Sequence, residues 1–299
     1  MIRKIRSKTI KTPFLDHQIL SMTTIIECGI NNGIKSQGSG FFYNKLGPQD
    51  ENKEGQSHWR LIEGTWLVTN RHVALLKIND KEVIPDYFIF NLRKEKSDEK
   101  IEWFPVVLTK EELTNRLKLH PNEVVDVAVI DVGDLMKKCS YELNEDIFYP
   151  SSLTSDNLPI SSPIEINVTS DIVVASYPRG FYDDFNKFPI LKSGIIASSW
   201  SLNFNGLPFF LIDAKLFPGS SGGLVISKPI DIALIEGKIM HHESKQFVFL
   251  GVYSGEPVYH SNLIDLEDIT IIKKESFGLG SVWYSYLIPD IIENGVKYC

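Results

Sequence analysis

Cysteine is scarce in this chain: Cys28, Cys139 and Cys299 are the only three in 299 residues. They are odd in number and widely spaced, and no Cys-x-x-Cys occurs. That argues against a disulfide framework and a thiolate metal site, and it fits a reducing compartment. The one histidine pair, His241-His242, would point to opposite faces of a strand, so no shared metal is expected. Long apolar runs are also missing. None reaches the ~18 residues that a membrane span needs. The N-terminal stretch lacks the apolar segment and small-residue cleavage site of a secretory leader. A cytoplasmic protein is the expectation. Excess positive charge is absent as well, since 31 Lys+Arg against 38 Asp+Glu leave a net charge of −7. Nucleic acids and anionic membranes attract basic proteins, so neither is an expected partner. The basic residues Arg3, Lys4, Arg6, Lys8 and Lys11 read as a solvated tail.

What the chain has instead is β structure. Hydrophobic residues make up 43% and aromatic residues 11%, enough for a packed core. Short β-branched and aromatic runs recur, among them Gly40–Tyr43, Thr65–Thr69, Val124–Val132, Ile172–Ser176, Phe209–Ile212 and Phe247–Tyr253. Turn formers such as Tyr177-Pro178-Arg179-Gly180 and Asn205-Gly206 punctuate them. That pattern predicts an all-β sandwich or barrel. Helical signals are confined to Lys110–Leu119, with acids first and bases last, and to a tail helix over Ile288–Gly295. The polar stretches 44–58 and 93–100 read as surface loops, and Ser151–Ser162 as a linker between two halves.

Three segments carry chemistry. Thr65-Trp66-Leu67-Val68-Thr69-Asn70-Arg71-His72-Val73 is an apolar strand running into a histidine. Val124–Val132 sets Asp126 in a β-type run, and Phe217–Val225 holds Ser221 in a G-x-S-G-G turn. Histidine, aspartate, serine is the chain order of one of the convergent Ser-His-Asp hydrolases. A serine hydroxyl needs a neighbouring base to attack a carbonyl, and an imidazole titrates near working pH. An aspartate on the other ring nitrogen fixes the tautomer. Asp131 and Asp134 are rivals of Asp126. His58 and His120 are rivals of His72 but lie in polar sequence and read as surface histidines. A cleft between the two halves would join His72 and Asp126 to Ser221.

The chain resembles the trypsin-like, chymotrypsin-fold serine peptidases, in detail the bacterial HtrA/Deg branch without its peptide-binding PDZ domains. The resemblance rests on Gly38-Ser39-Gly40-Phe41, Leu67–Val73, Asp126-Val127-Ala128-Val129, Ser176–Gly180 with Ser193–Ile196, Asp213–Gly223 and Gly278–Ser281, in that order. It implies two packed six-stranded antiparallel β-barrels and a short C-terminal helix. The halves would be 31–155 and 156–288, after an extension over 1–30 and before a helix over 289–299. It favours Asp126 over its rivals and makes Ser221, not Ser220, the nucleophile. Gly219 and Ser221 would supply the oxyanion-hole N–H groups, and a side chain at 219 would crowd that approach. Gly222 and Gly223 would allow the sharp turn behind the nucleophile.

The resemblance also draws a specificity pocket from Lys215, Leu216, Phe217, Ser254, Gly255, Glu256 and Gly280, with Ser254 under the catalytic aspartate. Lys215 would admit an acidic side chain. Leu216 and Phe217 would favour a small or medium apolar one, which is the preferred reading because lysine snorkels out of apolar sites. In animal trypsins an aspartate before the nucleophile captures a newly cut N-terminus. Ser220 cannot, so activation by N-terminal cleavage is not expected. The expected function is a serine endopeptidase acting through an acyl-enzyme, without cofactor or metal, on protein or peptide substrates. It is expected to be gated by a partner or signal, since an unguarded cytoplasmic peptidase would be toxic. The alternatives are a latent protease-fold binding module and an esterase on the same triad.

Overall fold

In the strand Ile62–Thr69, alternate side chains enter different cores. Trp66 and Val68 face one core and Leu67 faces another, as the two-residue period of a strand requires. The strand is sandwiched between Lys35–Leu46 and Ala128–Asp131, both antiparallel to it. The same alternation recurs there: Phe41, Tyr43 and Val129 turn one way, and Phe42, Ala128 and Ile130 the other. The structure is a computed structural model, and it describes residues 14–31, 33–48, 60–95, 101–142, 147–235, 238–257, 259–266, 269–275 and 277–298.

The fold is mostly β, with one closed six-stranded barrel. Its strands follow each other around the barrel as Asp171–Ser176, Ile190–Ile196, Phe209–Asp213, Leu279–Tyr284, Phe249–Gly255 and Leu224–Ser227. Ile172, Val174, Ile212, Val225, Leu250 and Val282 fill its interior. Ala175, Leu224, Ile226 and Phe249 point outward into a shared core with Phe41, Val68 and Val129 of the first half. The helix Leu287–Asn294 seals that seam with Leu287, Ile288, Ile291 and Ile292. At roughly 1.5–3 kcal/mol per fully buried large aliphatic side chain, the seam is a major source of stability.

The first half departs from the expected second barrel. Its strands form an open nine-stranded sheet. Tyr87–Glu95 pairs with Ile101–Thr109, and Leu117–Leu119 takes Val296–Lys297 on its outer edge, so among the described residues these two regions do not pair to close a cylinder. The helix Lys110–Arg116 connects them and buries Leu113 in the first-half core. Thr109 caps it in a capping box with Glu112. The helical reading over Lys110–Leu119 thus ends three residues early, because Leu117–Leu119 pairs with Ala128–Ile130.

Two other expectations change. Ser151–Ser162 is no free linker: Leu153 is buried and exchanges backbone hydrogen bonds with Phe42 and Asn44. Residues 93–95 are not surface loop but the end of Tyr87–Glu95, and Arg93 is 6% exposed; residues 49–59 and 96–100 lie outside the described residues. Cys28 and Cys139 are buried, and burial pushes the Cys28 thiol up to about 12. Among the described residues no helix is long and apolar enough to cross a membrane.

Candidate active site

His72 is the outward-facing member of a single helical turn, Arg71–Ala74, at the end of the strand Ile62–Thr69. Its neighbours hold the turn from both sides. Val73 and Ala74 sink into the first-half core. Arg71 forks onto Glu82 through Nε (2.8 Å to Oε1) and Nη2 (2.6 Å to Oε2). Asn70 donates its side-chain amide to the Asp126 carbonyl at 2.7 Å. The His72 side chain remains 52% accessible.

Asp126 lies between Val125 and Val127, both buried in the seam. Two inward valines turn the intervening carboxylate the other way, toward His72. Its Oδ1 accepts the His72 backbone N–H at 2.9 Å, and its Oδ2 meets His72 Nδ1 at 2.7 Å. The Ser254 hydroxyl donates to the same Oδ2 at 2.6 Å. A proton on Nδ1 facing the carboxylate leaves Nε2 as the basic nitrogen. Burial pulls the His72 pKa down, but the hydrogen bond and charge of Asp126 outweigh it and leave the imidazole above its ordinary range.

The turn that carries Ser221 is built on backbone geometry. Gly219 has φ +90° and Gly222 φ +80°, both in the region that only glycine adopts freely. A Cβ on Gly219 would stand 2.8 Å from Arg179 N and Tyr177 O; one on Gly222 would stand 2.0 Å from Ser39 O. Arg179 N–H donates to the Pro218 carbonyl at 2.7 Å, and Ser39 Oγ–H donates to the Gly219 carbonyl at 2.8 Å. In a planar trans peptide, a C=O held one way sends the next N–H the other way, so the Pro218 bond aims the Gly219 N–H, and the Ser220 carbonyl, which accepts from Gly223 N at 2.9 Å, aims the Ser221 N–H. Among the described residues, no acceptor takes the N–H of Gly219 or of Ser221.

Ser221 Oγ donates to the Ser254 carbonyl at 2.7 Å, and among the described residues it makes no hydrogen bond to His72. Ser254 therefore touches both groups, with its hydroxyl on Asp126 and its carbonyl on Ser221. Ser220 is fully buried and accepts from Ser176 Oγ at 3.1 Å, which leaves Ser221 the accessible serine of the turn.

A pocket of about 410 Å³ opens beside Ser221, walled by Lys215, Leu216, Phe217, Gly255 and Glu256, with Pro218 and Tyr253. Gly280 is not among the residues that line it; a Cβ there would lie 2.6 Å from the ring of Tyr253, which does line it. Ser254 is at the site through its polar atoms rather than as wall. Lys215 is exposed, whereas Leu216 is buried in the barrel core.

The rivals lie elsewhere. Asp131 Oδ1 accepts from Gly133 N, Asp134 pairs with Arg116, and His120 Nε2 sits 3.7 Å from Asp290. His58 and the side chains of His241 and His242 lie outside the described residues. No metal-holding cluster of His, Cys, Asp and Glu occurs among the described residues. The reading of the sequence missed Ser39, Asn70, Tyr177 and Arg93. Ser39, Asn70 and Tyr177 stood inside noted motifs, but Ser39 and Tyr177 make contacts that bridge the two halves, Asn70 reaches Asp126, 56 residues on, and none of these leaves a local signal.

No curated protein matches the chain. Solved structures do, at low identity. The HtrA-type protease AlgW with tripeptide is 15% identical at a TM-score of 0.47, over 92% of this chain and 60% of that one. The serine endoprotease from Yersinia pestis is 14% identical at 0.44, over 95% and 66%. The tobacco etch virus protease complexed with product is 11% identical at 0.44, over 97% and 85%. This chain thus spans 60% of the length of the AlgW protease. The family model for the trypsin-like peptidase domain matches residues 38–229, more than half the chain and the whole stretch from Gly38 through His72 and Asp126 to Ser221, and the chain belongs to that family.

Proposed function

We propose that the protein is a serine endopeptidase in which Ser221 is the nucleophile, His72 the general base and Asp126 the group that orients it. The observation that carries this reading is the 2.7 Å contact of His72 Nδ1 with Asp126 Oδ2, joined through Ser254 to Ser221. In the reaction, Ser221 Oγ leaves the Ser254 carbonyl, gives its proton to His72 Nε2 and bonds to the substrate carbonyl carbon. The oxyanion forms between the N–H groups of Gly219 and Ser221, where one donor is typically worth about 3 kcal/mol. His72 then protonates the leaving amine, and water repeats the sequence on the acyl-enzyme. The substrate is a protein or peptide. The residue before the cut is small or medium and apolar, because Tyr253 limits the pocket while Lys215 reaches solvent.

The resting position of Ser221 bears on latency. A hydrogen bond of this kind contributes about 1 kcal/mol net, so holding the hydroxyl on Ser254 costs at most roughly tenfold in rate. That is a resting rotamer and not an off switch. A partner that gates this enzyme would therefore act on the oxyanion turn or the pocket.

A fluorophosphonate probe tests the assignment. It should label the wild type at Ser221, and Ser221→Ala should lose peptide cleavage by ~10⁶ in kcat with the fold intact. A wild type that neither labels nor cleaves would defeat it.

A further inference from the structure

Arg93 is a buried cation with no carboxylate partner among the described residues, a costly arrangement that burial alone does not explain. Its guanidinium is held by neutral groups. Nη2 donates to the Tyr177 hydroxyl at 2.8 Å, Nε to the Lys187 carbonyl at 3.0 Å and Nη1 to the Ser21 carbonyl at 3.4 Å. The rings of Trp103 and Phe188 complete the cage, with centroids 5.3 Å and 5.2 Å from its Cζ.

Tyr177 is fully buried and passes that anchorage to the oxyanion turn. Its ring packs edge-on against Trp103 and Tyr182, and its hydroxyl donates to the Thr23 carbonyl at 3.3 Å. Its backbone N–H donates to Ser39 Oγ at 2.9 Å, and that oxygen's own proton goes to the Gly219 carbonyl. Two residues on, Arg179 sits in the left-handed region (φ 51°, ψ 29°) and donates its N–H to the Pro218 carbonyl. Both carbonyls flanking the Gly219 N–H are therefore tied to the segment that begins at Tyr177. The left-handed turn at Arg179 is strained for a side-chain-bearing residue, so it needs outside support to persist.

We infer that Arg93 is a positioning residue for the oxyanion hole: by clamping Tyr177 it holds the Pro218–Gly219 peptide with its N–H turned toward the reacting carbonyl. The inference rests on the proposed peptidase reading and deepens it. Loss of the clamp frees the turn, and the Pro218–Gly219 peptide rotates away while the pocket walls from Lys215, Leu216 and Gly255 and the His72–Asp126 pair stay in place.

The test uses the full chain, a fluorogenic peptide ending in valine, and the matching peptide boronate as an oxyanion mimic. Arg93→Met should lower kcat about 30–300-fold at nearly constant KM, at or below the roughly 10²–10³ of a lost oxyanion donor. Boronate affinity should fall in parallel, while affinity for the product peptide stays unchanged. Because Arg93→Met risks misfolding, Tyr177→Phe serves as the gentler variant, removing one oxygen. It should reproduce the kcat-only loss in smaller measure, and the double variant should lose no more than Arg93→Met alone. Additive losses, a loss carried by KM, or unchanged boronate affinity in folded variants would overturn the inference while leaving the peptidase standing. A wild type inert to both peptide and phosphonate would overturn both.

Discussion

Ser254 and Asp126 share a 2.6 Å hydrogen bond from hydroxyl to carboxylate. This bond gives Asp126 Oδ2 a second donor beside the imidazole. Hydrogen bonds to a charged group are worth about 1.5–3 kcal/mol, more than neutral ones. Ser254→Ala removes the donor yet keeps the backbone carbonyl on which Ser221 rests. We expect kcat to fall about tenfold with KM within twofold, measured on a short fluorogenic peptide. An unchanged kcat would show that His72 alone suffices to fix the carboxylate.

The pH dependence follows from the raised pKa of His72. Catalysis needs the neutral imidazole, so the acid limb of kcat/KM should lie above the ordinary imidazole value. Stability runs the other way. A folded pKa raised over the unfolded one stabilises the fold fully below the unfolded value, and that contribution is lost as pH rises through the folded value. The same pH interval thus switches activity on and removes some stability. Asp126→Asn should move the titration of His72 to lower pH and reduce kcat by roughly 10⁴. NMR of the imidazole protons alongside the rate profile checks both; an unmoved titration would contradict the assigned pair.

Gly219→Ala meets two obstacles. Its φ of +90° disfavours a Cβ, and that Cβ would stand 2.8 Å from backbone atoms of Tyr177 and Arg179. The peptide must rotate or the Tyr177–Gly180 segment must retreat. Either movement displaces one oxyanion donor, so kcat should drop by about 10²–10³. The His72–Asp126 pair is untouched, so the imidazole titration should match wild type. Cleavage within threefold of wild type would disprove the role of that N–H.

Much of this site was legible because its chemistry is local. A histidine after an apolar strand and a serine among glycines each announce themselves within a few residues. Asp126 was placed by the motif it shares with a known family, and the flanking Val125 and Val127 explain its direction. Gly280 does not line the pocket beside Ser221, and the ring next to it, Tyr253, lies 27 residues away in sequence, on a paired strand. Arg93 was missed because a charged residue in a polar run reads as solvated, and only the tertiary cage of Tyr177, Trp103 and Phe188 makes it interior. The open first sheet was unreadable because closure depends on which distant edges meet, and Val296–Lys297 occupies one of them.

The apolar seam sets how this molecule would fail under stress. His72 and Asp126 stand on one side of that contact and Ser221 with Ser254 on the other. A slip of one half against the other by the width of a methyl group separates proton acceptor from hydroxyl long before either hydrophobic interior melts. On the proposed peptidase reading, turnover would therefore be lost before the fold, and whatever slackens the joint would lower it alongside any change at the oxyanion turn or the pocket.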